Sequence, residues 1–171
     1  MSPFAKALAL VPLCLLCALS ARAGTSLAIL DFELHDLTLL PATPEEVQRT
    51  ARLRPLLEQS LTSRNHRIDN IAATTQAAAA WGTGYLADHP DAVAALADPA
   101  HTRFIVVGVL GKPSFLFSYI QARLVDVRSQ QVVGNFSVEV KGQQDKITAR
   151  GIDELARQID ARLRTLGATT P

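Results

Sequence analysis

The chain has 171 residues, with 17 basic and 16 acidic side chains, for a net charge of +1. That near balance, without runs of like charge, argues against nucleic acid, whose phosphates are held by clustered Lys and Arg, and against docking on anionic lipid. Hydrophobic residues make up 48% of the chain, enough to build one packed domain.

The amino terminus has the features of an export leader. Met1 to Lys6 carries a single lysine, and Ala7 to Leu19 is apolar apart from Pro12, Cys14 and Cys17. Ser20-Ala21-Arg22-Ala23 then supplies a small-x-small cleavage pattern. The expectation is a signal peptide over residues 1–23, cleaved before Gly24, and one domain over 24–171. The apolar run is too short to cross about 30 Å of hydrocarbon, which takes about 20 residues. Leu precedes both cysteines, where lipidation needs a small residue. Cleavage would remove both thiols together with Lys6 and Arg22, leaving 15 basic against 16 acidic residues, a net charge of −1. The expected location is the periplasm, with no membrane span after cleavage and a core that holds the fold without disulfides.

Ser26 to Leu34 (SLAILDFEL) reads as a strand. Thr43-Pro44-Glu45-Glu46 is a strong helix start, with Thr43 as cap, Pro44 in the first turn and Glu46 placed to complete a capping box. That helix should run towards Arg64 with Val47, Ala51, Leu57 and Leu61 on its apolar stripe beside Leu53 and Leu56, kinked or divided at Pro55. His66 to Ile71 suggests a second strand, Thr74 to Trp81 an alanine-rich helix, and Asp91 to Ala97 a short helix capped by Asp91. Arg103 to Leu110 (RFIVVGVL) is the most apolar stretch and suits a central strand covered on both faces. A long strand over Phe115 to Val127 and a hairpin at Arg128 to Gln130 follow. In the next strand Val132, Gly134, Phe136, Val138 and Val140 alternate with Asn135, Ser137, Glu139 and Lys141, which fits a half-buried edge. Ile152, Leu155, Ile159, Leu163 and Leu166 form the stripe of a final helix ended by Gly167. The order β-α-β-α-α-β-β-β-α predicts an α/β fold: a mixed, roughly five-stranded sheet, with a parallel βαβ start, an antiparallel meander at the end and helices packed on it.

Ala28-Ile29-Leu30-Asp31-Phe32-Glu33-Leu34 with Asp36, then Gly108-x-x-x-Lys112-x-Ser114, Asp126-Val127, Gly142-x-x-Asp145 and Arg150-Gly151, resembles a family of uncharacterised bacterial periplasmic proteins known only as a domain of unknown function. The resemblance spans nearly the whole mature chain and brings no activity with it. Members typically carry a cysteine pair before the third strand, an Asn-Thr before the aspartate and a tryptophan after it. This chain has none of these, with Gln143-Gln144 and Thr148 in the latter places. The opening strand and its turn also look like the amino-terminal domains of TolB-type proteins and of lipoprotein activators of penicillin-binding proteins, which act by binding partners; fold alone does not fix function.

Asp31, Glu33 and His35 alternate and would share one face of a strand, with Asp36 beside them at its carboxyl end. Carboxylates with an imidazole can bind a divalent metal or move protons, or simply cap a helix and pair with Arg or Lys. Lys112 and Ser114 sit at a turn that could hold an anion if it opened into the same crevice, or could simply be exposed there. Asp145 and Arg150 fit a local pair at a helix start. His66, His89 and His101 lack ligand spacing and read as solvated. No phosphate-binding Gly-rich loop, Gly-x-Ser-x-Gly, His-Glu-x-x-His or CxxC outside the leader is present. No cofactor or metal is expected. The favoured expectation is a non-enzymatic envelope accessory that binds a protein partner, with the last strand offering an edge for strand addition. Asp31, Glu33, His35, Asp36, Lys112 and Ser114 are the candidate binding residues. The competing readings are a small metal-binding protein or hydrolase using Glu33, His35 and Asp36, and a small-molecule binder in a crevice beside Lys112.

Overall fold

The computed structural model describes residues 25–38, 40–114, 116–142 and 145–168. The expected leader with its expected cleavage site, and Phe115, lie outside the described residues. In chain order the elements are β1 (Ser26–Ile29), β2 (Glu33–Asp36), α1 (Pro44–Thr62), β3 (Arg67–Asp69), α2 (Ala73–Ala79), α3 (Tyr85–Asp88), α4 (Pro90–Ala94), β4 (Phe104–Lys112), β5 (Phe117–Asp126), β6 (Gln131–Lys141) and α5 (Asp145–Ala168).

One mixed sheet carries all six strands, in the order β3-β1-β4-β5-β6, with β2 also paired to β4. β1 pairs in parallel with β3 and β4, and β2 in parallel with β4, whereas β4, β5 and β6 form an antiparallel meander. The apolar run of β4 lies at the centre and is buried along almost all of its length. One face of the sheet carries Leu27, Ile29, Phe104, Val106 and Leu110 against Leu53, Leu57 and Leu61 of α1 and Ile152, Leu155, Ile159 and Leu163 of α5. The opposite face carries Ala28, Leu30, Ile105 and Val107 against Leu86 of α3 and Val93 and Ala94 of α4. No described helix is long and apolar enough to cross a membrane.

The expected first strand is two strands, which makes the sheet six-stranded. Ile29 pairs with Val106 and Glu33 with Val109, so three residues of the β1–β2 segment lie opposite two of β4. The extra residue acts as a bulge and turns over every side chain beyond it. Phe32 and Leu34 therefore join the core of Leu27 and Ile29, and Leu30 joins the other core. The bulge needs a glycine opposite it. The Phe32 ring lies across Gly108, where an added Cβ would come within 2.3 Å of the ring.

α1 begins as expected: Glu46 N–H donates to Thr43 Oγ1 (3.3 Å) and Thr43 N–H to Glu46 Oε2 (2.9 Å), a full capping box. The helix runs unbroken past Pro55. Pro55 and Ala51 are exposed, so the Ala51 carbonyl that loses its helical donor faces water. The buried stripe is Glu46, Arg49, Thr50, Leu53, Leu57 and Leu61, while Val47 and Ala51 point outward. Its first two turns present polar groups to the interior.

Smaller corrections follow the same logic. α4 starts at Pro90 with no side-chain cap, so Asp91 lies in the first turn. α5 continues through Gly167 to Ala168. A register shift in the β5–β6 pairing, where Leu124 faces Gly134 and Val125 faces Val132, turns Val132 to the α4 side. His66 is buried, its Nε2 2.9 Å from Asp160 Oδ1 of α5.

Gly108→Ala should lower stability by about 1–3 kcal/mol, measured by urea unfolding. Combined with Phe32→Leu, the alanine should cost clearly less than it does alone, because the coupling is steric.

Candidate functional site

The bulge divides the expected site between the two faces of the sheet. Glu33 and His35 face the α3 side, Asp36 faces the α1 side, and Asp31 belongs to the irregular link between β1 and β2. Asp31 Oδ1 accepts from Arg54 Nη1 of α1 (3.3 Å), and its main chain is bracketed by the Gln76 amide of α2. Asp31, Glu33 and His35 do not share a face. Among the described residues no three His, Cys, Asp or Glu side chains gather as a metal site.

On the α3 side, Glu33 Oε2 accepts from the Gly84 N–H (2.6 Å) and lies 3.2 Å from His35 Nε2. Gly84 has φ +81°, and a Cβ there would sit 3.4 Å from the imidazole, so its backbone can close on the pair. His35 also lines an open cleft of about 440 Å³, with Val107 and Val109 in its lining and Asp88, Gln121, Arg123, Asn135 and Ser137 among its polar groups. Arg123 Nη1 donates to Asp88 Oδ1 (2.9 Å) and to the Ala87 carbonyl, which ties α3 to the sheet.

On the α1 side, the register places Asp36 directly opposite Lys112. Lys112 Nζ donates to Asp36 Oδ2 (3.1 Å) and to Glu46 Oε1. Lys112 is 6% exposed and Glu46 4%, so the lysine is an interior cation held between two carboxylates, not an exposed turn residue. Asp36 Oδ1 accepts from the Thr38 N–H (2.8 Å) and hydroxyl (2.6 Å), and the Leu37 N–H donates to the Lys112 carbonyl (3.0 Å). Next to this group the buried Arg49 donates from Nε to Thr148 Oγ1 of α5 and from Nη2 to Ser118 Oγ of β5, both at 3.0 Å.

Ser114 Oγ accepts from the Leu116 N–H (3.3 Å) and shapes the turn. The space beside Lys112 and Ser114 is about 10 Å³, room for roughly one water. It is not the crevice that a small-molecule reading requires. The carboxylate of Asp145 pairs with Arg52 of α1 (2.9 Å) rather than locally with Arg150.

Thr38's hydrogen bonds hold the Asp36 carboxyl below its ordinary range, and Lys112 adds to the effect. Lys112 holds Glu46 low in the same way, and Glu46 holds the Lys112 ammonium high. Burial lowers the Arg49 guanidinium. The two depressed carboxylates add stability above about pH 4 that is lost as pH falls through their folded values. The raised lysine adds stability that is lost only as pH rises beyond its ordinary value of about 10.4. The cluster is therefore fully charged from mildly acidic to mildly alkaline pH.

A family model, DUF3280, described as a protein of unknown function (DUF2380), matches residues 25–159. The chain belongs to this family. No curated protein matches it. The hypothetical protein CT253 from Chlamydia trachomatis shares the fold, with a TM-score of 0.56, 12% identity, and coverage of 82% of this chain and 99% of that one. The lipoprotein GNA1162 from Neisseria meningitidis aligns at a TM-score of 0.49, with 10% identity over 80% of this chain and 99% of that chain. The LpoB C-terminal domain from Escherichia coli aligns at 0.47, with 12% identity over 74% and 89%.

Lys112→Met should cost about 3–5 kcal/mol at pH 7, because it leaves two buried carboxylates unpaired. The deficit should shrink as the pH falls towards 4 and those carboxylates take up protons, as denaturant titrations at the two pH values would show.

Proposed function

We propose that this member of the family is an exported accessory module of the cell envelope that works by binding a protein partner and catalyses no reaction. The single observation behind this reading is a rim of leucines at one end of the sheet: Leu37 is 71% exposed, Leu40 58% and Leu116 78%. Leu37 and Leu40 lie between β2 and α1, and Leu116 lies between β4 and β5. Asp36 and Lys112, which are paired across the sheet, carry both segments.

Exposed apolar groups gathered at one place mark contact surfaces. Two of these leucines stand on hydrogen-bonded backbone. Leu37 is bonded to Lys112 and the next residue, Thr38, to Asp36, and Leu116 is bonded to Ser114. A surface ordered in advance loses little conformational freedom on binding. The candidate residues Asp36, Lys112 and Ser114 then serve as the frame of a contact surface whose partner offers an apolar counter-face. The leader pattern over residues 1–23 supports the envelope as the place where this happens.

The protein recovered from a bacterial envelope fraction should begin at Gly24 by intact-mass spectrometry. A tagged chain should recover one envelope protein reproducibly. The Leu37→Ser/Leu40→Ser/Leu116→Ser variant should lose that protein while melting at an unchanged temperature. Equal recovery by the variant would refute the reading.

A further inference from the structure

The long last strand raises a separate question, because nothing in the leucine rim bears on it. β6 is eleven residues long and, among the described residues, pairs with β5 alone, so one side of its backbone is left without a described partner along the edge of the sheet. Proteins usually protect such an edge with proline, inward charge or bulges. Here the protection stops at the start of the strand. Val133 is the extra residue at the register shift, and its carbonyl accepts from Arg162 Nε of α5 (2.7 Å). From Gly134 to Val140 there is no proline, and the one charged residue, Glu139, is on the outward face.

The two faces of this stretch differ. Val140 is buried under α5, with Gly151 letting the helix approach: a Cβ there would be 2.9 Å from Val140 Cγ2. Phe136 and Val138 pack on the same core but are only half-buried. Asn135, Ser137 and Glu139 are exposed on the other face.

We propose that the edge is covered by a second copy of this chain, with β6 pairing antiparallel to its counterpart about a twofold axis at Ser137. In this register Ser137 faces Ser137, Asn135 faces Glu139, Phe136 faces Val138 and Gly134 faces Val140. The α5-side partners are then apolar throughout, with two aromatic–β-branched pairs of a favourable kind. On the other face each carboxylate meets a side-chain amide, and no like charges stand opposite or diagonal to one another. Shifting the axis to Val138 would bring the two Glu139 carboxylates diagonal to each other. Shifting it to Phe136 would set Glu139 against the bulge at Val133. The overlap ends where the bulge begins, so the guarded and paired parts of the edge together account for the strand. The interface is isologous and closes at two copies.

The test uses the chain from Gly24, from which Cys14 and Cys17 are absent. Light scattering should give twice the chain mass at micromolar concentrations and above. Ser137→Glu, a change at an exposed position, should give a folded monomer, because like charges would then meet at the axis. Ser137→Cys should form a disulfide-linked dimer under mild oxidation. Gln121→Cys, which faces Ser137 from the next strand inward, should not, because its counterpart would be about three strand spacings, roughly 14 Å, away. The pairing is overturned by a monomeric unsubstituted chain at its highest soluble concentration, by a dimeric Ser137→Glu variant, or by Ser137→Cys linking no better than Gln121→Cys.

Discussion

Glu46 carries two obligations on one carboxylate, and the sheet end depends on both being met. Oε2 closes the capping box that starts α1, and Oε1 accepts from Lys112 at the end of β4. Lys112 in turn holds Asp36 at the end of β2. A helix start and two strand ends are thus fixed relative to one another by three charged groups, none of which could be buried alone without a large desolvation cost. A buried ion cluster of this kind is weak evidence of net stability, but removing one member leaves the others as uncompensated buried charge. The exposed leucines lie on the segments that adjoin it.

The cluster forms only because the bulge before β2 reverses the side-chain alternation. Without the extra residue, Glu33 and His35 would point at α1, and Asp36 would point away from Glu46. Phe32 lying across Gly108 seats the bulge, so a glycine in β4 decides which carboxylates meet the lysine. In this fold the local backbone irregularity and the placement of charge are one event.

Much of the architecture was legible in the residues. The Thr43–Glu46 cap, the apolar run of β4, the alternation of β6 from Gly134 to Val140 and the Ile152–Leu163 stripe each report a local physical preference, and each appears in the structure. The site was legible only in part. SLAILDFELHD has a continuous strand pattern, and a one-residue insertion leaves no trace in it. On α1, Val47 and Ala51 were expected on the apolar stripe, whereas Glu46 and Arg49 are the residues buried there, because the partners that draw the polar pair inward are distant in the chain. Arg49 needs Ser118 and Thr148, and Glu46 needs Lys112. One signal was available: Glu46, Arg49 and Thr50 continue the Leu53–Leu57–Leu61 row at helical spacing, so polar groups sit where an apolar stripe should extend. His66 meets Asp160, and Asp145 meets Arg52, by the same long-range logic.

The two layers over the sheet are unequal. α1 and α5, with 19 and 24 residues, cover one face, whereas α2, α3 and α4, with 7, 4 and 5, cover the other. None of the three short helices has a side-chain cap bond at its start, and helices this short have no stability of their own in water. They stay in place through Leu86, Val93 and their neighbours and through the grip of Arg123 on α3. The thin layer is therefore the part of the molecule that breathes. Its amides should trade deuterium through small openings while those of β4 wait for global unfolding, a native-state gradient running from one side of the sheet to the other.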